Sequence, residues 1–372
     1  MNLSYWEIKS WFTNVDFTIV GSGIVGLTCA LNLKVRFPNA NIILLEKGIL
    51  PQGASTKNAG FACFGSLSEI IDDLQYHTEK EVFSLVEKRW EGLQLLRKTL
   101  GDKTIDFQQN GGYELFKNGD VFDQCLSKKE QINTLLKPIF KKDVFSVIDN
   151  EFKFSEVNSS LVLNSFEGQL DTGKMMATLL HLVLKSGVRI LNNTTVTGFE
   201  DFGSKVEVRL SDFEFKTNKL LIATNGFASQ LLNEDVKPAR AQVLITKPIQ
   251  NLHIKGTFHL DKGYYYFRNI DNRILLGGGR NLDFKTEETA AFGETDLVQN
   301  KLEELLKTVI LPTTAFEIEH RWSGIMGLGN QKKAIVKRVS NTIACGVRLG
   351  GMGVAIGSLI GNELAELYQI KG

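Results

Sequence analysis

An α/β protein in two parts is predicted by three features of the sequence. A strand, glycine turn, helix and strand follow one another near the N-terminus; a later block alternates short strands with one charged helix; and the chain closes on a strand, a glycine turn and a helix. The first and last suit a parallel sheet with helical cover, and the middle block suits a separate antiparallel sheet, giving a second domain of α+β type. The length of 372 residues fits this, at roughly 150 residues per domain.

From the N-terminus, Asn14 to Val20 is β-rich and runs directly into Gly21-Ser22-Gly23-Ile24-Val25-Gly26. LTCALNLKVRF then suits a buried helix, and Asn41 to Leu45 is a second apolar strand that ends at Glu46 and Lys47. Gly21 permits the tight turn out of the strand, Gly23 lets backbone approach a pyrophosphate, and Gly26 lets helix and strand pack closely. The helix N-terminus, with Ile24 and Val25 in its first turn, then faces the phosphates. Glu46 stands 20 residues beyond Gly26, where a carboxylate accepts hydrogen bonds from a ribose 2'-hydroxyl and repels a 2'-phosphate. The unit is Rossmann-like and calls for a dinucleotide other than NADP.

Ser68 to Leu100 places apolar residues at spacings of three and four among charges, predicting one or two amphipathic helices. Gly111 to Phe116 reads as a strand, Lys128 to Leu136 as a polar helix and KPIFKKD as a solvated turn. A helix from about Thr172 to Ser186 is closed by Gly187, and VRILNNTTVTGFE, KVEVRL and NKLLIATNG follow as short strands. Between about Arg240 and Glu319, AQVLITKPI, GYYYFRNI and NRILLGGG alternate with a helix near Asp296 to Val309.

Composition excludes several classes of function. With 43% hydrophobic and 23% charged residues, 34 Gly and 6 Pro, the chain is neither collagenous, low-complexity nor disordered. Lys plus Arg number 43 against 42 Asp plus Glu, so no global basic field draws a nucleic acid or an anionic membrane. Cys29, Cys63, Cys125 and Cys345 form no CxxC pair, which argues for reduced core thiols rather than a zinc ribbon or a disulfide framework. The opening MNLSYWEIKSWFTNVD has no continuous apolar run, so a secretory signal is not expected and a cytoplasmic location is. Phe17 to Leu33 is uncharged over 17 residues, near the lower limit for a membrane span, but the three spaced glycines inside it give the better account.

The segment after Glu46, KGILPQGASTKNAGFACFGS, is too polar and glycine-rich for a second crossover helix of a nicotinamide domain. Here the sequence resembles the FAD-dependent amino acid and amine oxidase family, which includes the D-amino acid, glycine, sarcosine and gamma-glutamylputrescine oxidases. The resemblance implies that Gly53-Ala54-Ser55-Thr56 and Asn58-Ala59-Gly60 meet the pyrophosphate and flavin ring, and that the backbone of Val196 receives the adenine. It also places Ala223, Thr224, Asn225 and Gly226 near the phosphates. Gly350, Gly351, Met352, Gly353 and Val354 would sit under the isoalloxazine, where helix N–H groups stabilise negative charge on reduced flavin. An FAD-binding domain from residues 14–70, 165–230 and 320–372 is implied, with a substrate domain from 71–164 and 231–319.

The implied activity is oxidative deamination of a primary or secondary amine or an amino acid. Hydride leaves the substrate C–H for non-covalently held FAD, and dioxygen or another acceptor takes the electrons onward. The same scaffold leaves open a 2-hydroxy acid or glycerol phosphate dehydrogenase, or a non-catalytic flavoprotein. For the substrate site, strand alternation puts Tyr264, Tyr266 and Arg268 on one face and Tyr265 on the other, and Arg348 lies just before the final glycines. Either arginine could meet a substrate carboxylate. The family's Trp-x-Gly-x-Arg is here Trp322-Ser323-Gly324-Ile325-Met326, without the arginine and without the flavin-bonding cysteine of sarcosine oxidase. That pattern is most similar to gamma-glutamylputrescine oxidase and makes an amine more plausible than a simple D-amino acid. The five histidines show no metal-ligand or triad spacing, and each is expected to be structural or on the surface.

Overall fold

The computed structural model describes residues 2–117 and 119–368. Two eight-stranded sheets carry the fold. In the first, Ile335–Arg338, Ile343–Val347, Glu214–Ile222, Val15–Val20, Ile42–Leu45 and Arg189–Leu191 lie side by side, with Val206–Leu210 and Val196–Asp201 attached to one strand as an antiparallel flap. Val15–Val20 pairs in parallel with both Ile42–Leu45 and Glu214–Ile222. Successive side chains of a strand point to opposite faces, so Ile42 and Leu44 enter one core while Ile43 and Leu45 enter another. Burial on both faces is why this strand reads as an unbroken apolar run. The helices Ile24–Arg36, Glu79–Leu100, Thr172–Lys185 and Gly353–Glu366 cover the first face. A Cβ at Gly361 would lie 2.6 Å from the Val25 carbonyl oxygen, so the first and last of these helices approach backbone to backbone.

The second sheet runs Ile318–Leu328, Lys237–Thr246, Arg273–Gly278, Tyr265–Ile270, Thr257–Leu260, Gly112–Leu115, Ser160–Asn164 and Phe145–Asp149. Its pairings are antiparallel except that Thr257–Leu260 runs parallel to Gly112–Leu115. One face packs under the Asp296–Leu305 helix through an aromatic stack in which the Phe258 and Phe267 rings lie 4.7 Å apart. The other face carries Val243, Leu275, Tyr266 and Trp322 against Ala59 and Phe61, so the segment after Gly53 is sandwiched between the two sheets.

The parallel unit, the antiparallel block and the closing helix are as the sequence predicts, and three details differ. The polar helix extends over Gly119–Phe140, so KPIFKKD begins inside it rather than in a turn. Phe145–Asp149, Ser160–Asn164 and Thr257–Leu260 are strands that local pattern did not mark. The first is an edge strand, with burial at Phe145 and mostly exposed positions after it, so it has no alternating apolar signal. The division expected at 320 falls inside Ile318–Leu328, a strand of the second sheet. Among the described residues no helix is long and apolar enough to cross a membrane, and the four cysteines are free and buried.

Candidate active site

Between the sheets lies a cavity of about 1050 Å³. Its first end is the glycine turn. Gly21 has φ +103°, a conformation open to glycine, and a Cβ at Gly26 would stand 1.9 Å from the Gly21 carbonyl oxygen, so only glycine allows the helix to start where it does. The Ser55 hydroxyl accepts the Ile24 N–H at 3.0 Å and would touch a Gly23 Cβ at 2.8 Å, which brings the Ala54–Lys57 helix onto the start of Ile24–Arg36. At the end of Ile42–Leu45, Glu46 Oε2 accepts the Ser22 N–H at 3.0 Å and its hydroxyl at 2.6 Å, and Oε1 accepts the Gly48 N–H at 3.0 Å. Only a long 3.4 Å bond from the Gln52 N–H uses the remaining acceptor position of Oε1, where a further hydroxyl can be received.

Of the residues expected at a cofactor, all but Gly26, Thr56, Gly60 and Gly226 line this cavity. Those four act on the chain itself. Thr56 donates its hydroxyl to the Pro51 carbonyl at 2.7 Å, a Cβ at Gly60 would stand 2.3 Å from the Leu170 carbonyl oxygen, and one at Gly226 would stand 2.5 Å from that of Met326. Thr224 lines the cavity with a buried hydroxyl that has no partner among the described residues, a group suited to a ligand oxygen. The size, the glycine-opened helix N-terminus, the acceptor at Glu46 and the orphan hydroxyl together fit a dinucleotide such as FAD.

The second end is built by one row across the antiparallel sheet: Val243, Gly277, Tyr266 and His259 are register partners. A Cβ at Gly277 would lie 2.6 to 2.8 Å from three atoms of the Tyr266 ring and phenol, so the missing side chain lets that ring lie across the sheet. Burial pushes the Tyr266 phenol up to about 12, which keeps it protonated and able to donate. Phe61 makes T-shaped contacts with His259 and Tyr266, at ring-centroid distances of 5.4 and 5.6 Å. Tyr264 also lines the cavity, whereas Tyr265 and Phe267 point into the aromatic core, as alternation predicts.

Neither arginine expected at the substrate lines the cavity. Arg348 is buried, with its Nη1 on Asp235 Oδ2 at 2.7 Å and on the Asp235 carbonyl at 3.1 Å, and its Nε on the Lys333 carbonyl at 3.0 Å. It has φ +63°, so this clamp fixes an uncommon backbone turn immediately before the final glycines. Replacing Arg348 with Met is therefore expected to lower the stability by about 2 kcal/mol, read as a fall in Tm of several degrees, because a hydrogen-bonded pair loses one partner. Any effect on substrate affinity should be secondary. Arg268 is also buried, behind the Asn58–Gly60 segment, with Nη2 at 3.0 Å from the Gly60 Cβ position. Burial lowers its guanidinium to about 10 despite Asp171, Asp271 and Asp106.

One residue without a spacing signal stands on the wall. His259 Nε2 is 2.6 Å from Glu167 Oε1, and both side chains are buried. The pairing joins residues 92 positions apart, so no motif could disclose it.

The profile of the family described as FAD dependent oxidoreductase matches residues 16–367. The chain belongs to this family. No curated protein matches its sequence. Among solved structures, glycine oxidase from Bacillus cereus ATCC 14579 superposes with a TM-score of 0.77 at 17% identity, covering 95% of this chain and 94% of that one. Glycine oxidase from Geobacillus kaustophilus gives 0.77 at 18% identity over 96% and 95% of the two chains. Iminodiacetate oxidase from Chelativorans sp. BNC1 gives 0.73 at 17% identity over 94% of each. These likenesses establish the FAD-dependent oxidoreductase fold of the chain.

Proposed function

We propose that this oxidoreductase removes a hydride from the carbon next to nitrogen in a primary or secondary amine or an amino acid, leaving an iminium, the protonated imine, that water hydrolyses. FAD, when bound, supplies the hydride acceptor, and dioxygen or another acceptor takes the electrons onward. The observation that carries the reading is the single cavity that joins the glycine turn to the aromatic row of Tyr266, His259 and Phe61. Ser55, Glu46 and Thr224 are the side chains suited to the dinucleotide, with the Gly353–Glu366 helix N-terminus turned toward the same cavity. Phe61, Tyr264 and Tyr266 supply apolar walls that orient a small donor and exclude water. A glycine oxidase and an iminodiacetate oxidase share this fold, which supports a C–N donor. Reduction of the bound flavin by a panel of amines and amino acids, followed with and without dioxygen or an added electron acceptor, tests this reading, and at least one of them should reduce the flavin.

We also propose that FAD is held without a covalent bond. Cys63 is the cysteine on the cavity wall, and burial, followed by the charges of Glu167 and Glu69, pushes its thiol well above the ordinary range, so little nucleophilic thiolate exists. Acid precipitation of the yellow protein should release the flavin into the supernatant. Colour retained on the pellet would contradict this.

A further inference from the structure

The wall of the cavity that lies on the antiparallel sheet contains a charged pair that the proposed chemistry has not used. Glu167 is fully buried. Its Oε1 accepts from Thr257 Oγ1 at 2.7 Å and meets His259 Nε2 at 2.6 Å, while its Oε2 is buried with no partner among the described residues. Taking a carboxylate fully out of water costs several kcal/mol, and a merely structural imidazole could be satisfied by a neutral acceptor. A carboxylate placed here does something a carbonyl would not, which is to keep the ring charged. The other ring nitrogen, Nδ1, has no hydrogen-bond partner among the described residues, and His259 lines the cavity. An imidazolium carries a donor on each nitrogen, so one donor is spent on Glu167 and one is left for a ligand.

The groups around the ring act in the same direction. Burial alone would push the imidazole down, but Glu167 more than offsets this by charge and hydrogen bond, and Glu69 and Glu114 add to it, bringing His259 up to about 9. Glu114 is the register partner on the neighbouring strand, Tyr266 the partner on the other side, and Cys63 lines the cavity nearby. The phenol and thiol are both neutral. Five other cations line the cavity: Lys47 follows Glu46 and Lys57 ends the Ala54–Lys57 helix, both on the glycine-turn side, while Lys262 is paired with Asp72 at 3.2 Å and Lys332 with Asp73. Arg280 stacks on Phe284, with its guanidinium carbon 4.9 Å from the ring centroid. His259 is the cation in the Tyr266 row and beside Phe61.

We propose that His259, oriented and kept charged by the Thr257–Glu167 pair, donates its Nδ1–H to a carboxylate of the substrate and so selects amines that carry an acidic group. This rests on the amine-oxidation reading only for the nature of the reacting end; the anion site itself does not depend on turnover. Its test is a titration of the FAD-loaded protein with benzoate, and with benzamide as the neutral counterpart, followed by the flavin absorption spectrum between pH 6 and 10. Benzoate affinity should be steady up to about pH 8 and fall above about 9, while benzamide affinity stays flat. In Glu167→Gln the fall should begin near the ordinary histidine value of about 6.5, leaving benzoate at least about tenfold weaker than in the parent at pH 8. His259→Gln should bind benzoate weakly with no step. Absence of a benzoate response in the parent, an unchanged midpoint in Glu167→Gln, or loss in Arg280→Met but not in His259→Gln would overturn the proposal. If Glu167→Gln does not fold, a pH titration of the parent with 15N-labelled histidine decides. One of the five rings should stay protonated to about pH 9 and shift with benzoate; five rings that all titrate near 6.5 would overturn it. Benzoate binding with the expected step in a protein that oxidises no amine would refute the amine reading and leave this site standing.

Discussion

Gly23→Val is expected to yield a folded, colourless protein. The added side chain enters the 2.8 Å space before the Ser55 hydroxyl and occupies the approach to the N-terminus of the Ile24–Arg36 helix, where a pyrophosphate would lie. The backbone itself is unstrained at this position, since Gly23 has φ −74°, and the Ser55 side chain can turn aside. The fold should therefore survive while FAD affinity falls by at least about a hundredfold, as several phosphate hydrogen bonds are lost together. Cofactor titration of the purified protein, with circular dichroism as the control for folding, separates the two effects. A variant that retains stoichiometric flavin would show that the phosphates lie elsewhere.

A second large effect is expected at Gly277, where the loss should fall on turnover and not on cofactor content. A valine there would collide with the Tyr266 ring, whose nearest atoms lie 2.6 to 2.8 Å from the Cβ position, and would lift the phenol off the sheet. Overpacking of this kind costs about 1 to 3 kcal/mol of stability. Displacement of a positioning group by about 1 Å can cost on the order of a hundredfold in rate, so kcat/KM should drop by about that factor. FAD content should be unchanged because Gly277 does not line the cavity and touches none of the phosphate-side residues. Unchanged kinetics in Gly277→Val would mean that the Tyr266 row does not hold the substrate.

The glycine-turn end of the cavity was legible because local backbone requirements impose it. Gly21, Gly23 and Gly26 are demanded by a turn, a close approach and a helix contact within six residues, and Glu46 by the end of the adjacent strand. The end on the antiparallel sheet was only half legible. Alternation along Tyr264 to Arg268 gave the correct face for Tyr266, yet the same reading could not tell that Arg268 is buried behind Asn58–Gly60, because that depends on how one sheet packs on the other. Proximity in sequence to the last glycines suggested a substrate role for Arg348, and Asp235, more than a hundred residues earlier, takes its guanidinium instead. His259 was invisible for the same reason. Its partner Glu167 reaches it from a separate loop, and three-dimensional pairing of this type leaves no periodicity or spacing behind. The edge strand Phe145–Asp149 belongs with these cases, since its pairing with Ser160–Asn164, rather than its own pattern, makes it a strand.

The amine-oxidation account meets its most direct test in anaerobic mixing of the FAD-loaded protein with amines, amino acids and 2-hydroxy acids, watching the visible absorption of the flavin. The account predicts that at least one amine or amino acid bleaches the flavin and releases the carbonyl product of imine hydrolysis, while 2-hydroxy acids leave the spectrum unchanged. Bleaching by a 2-hydroxy acid or glycerol phosphate, with every amine inert, would contradict it.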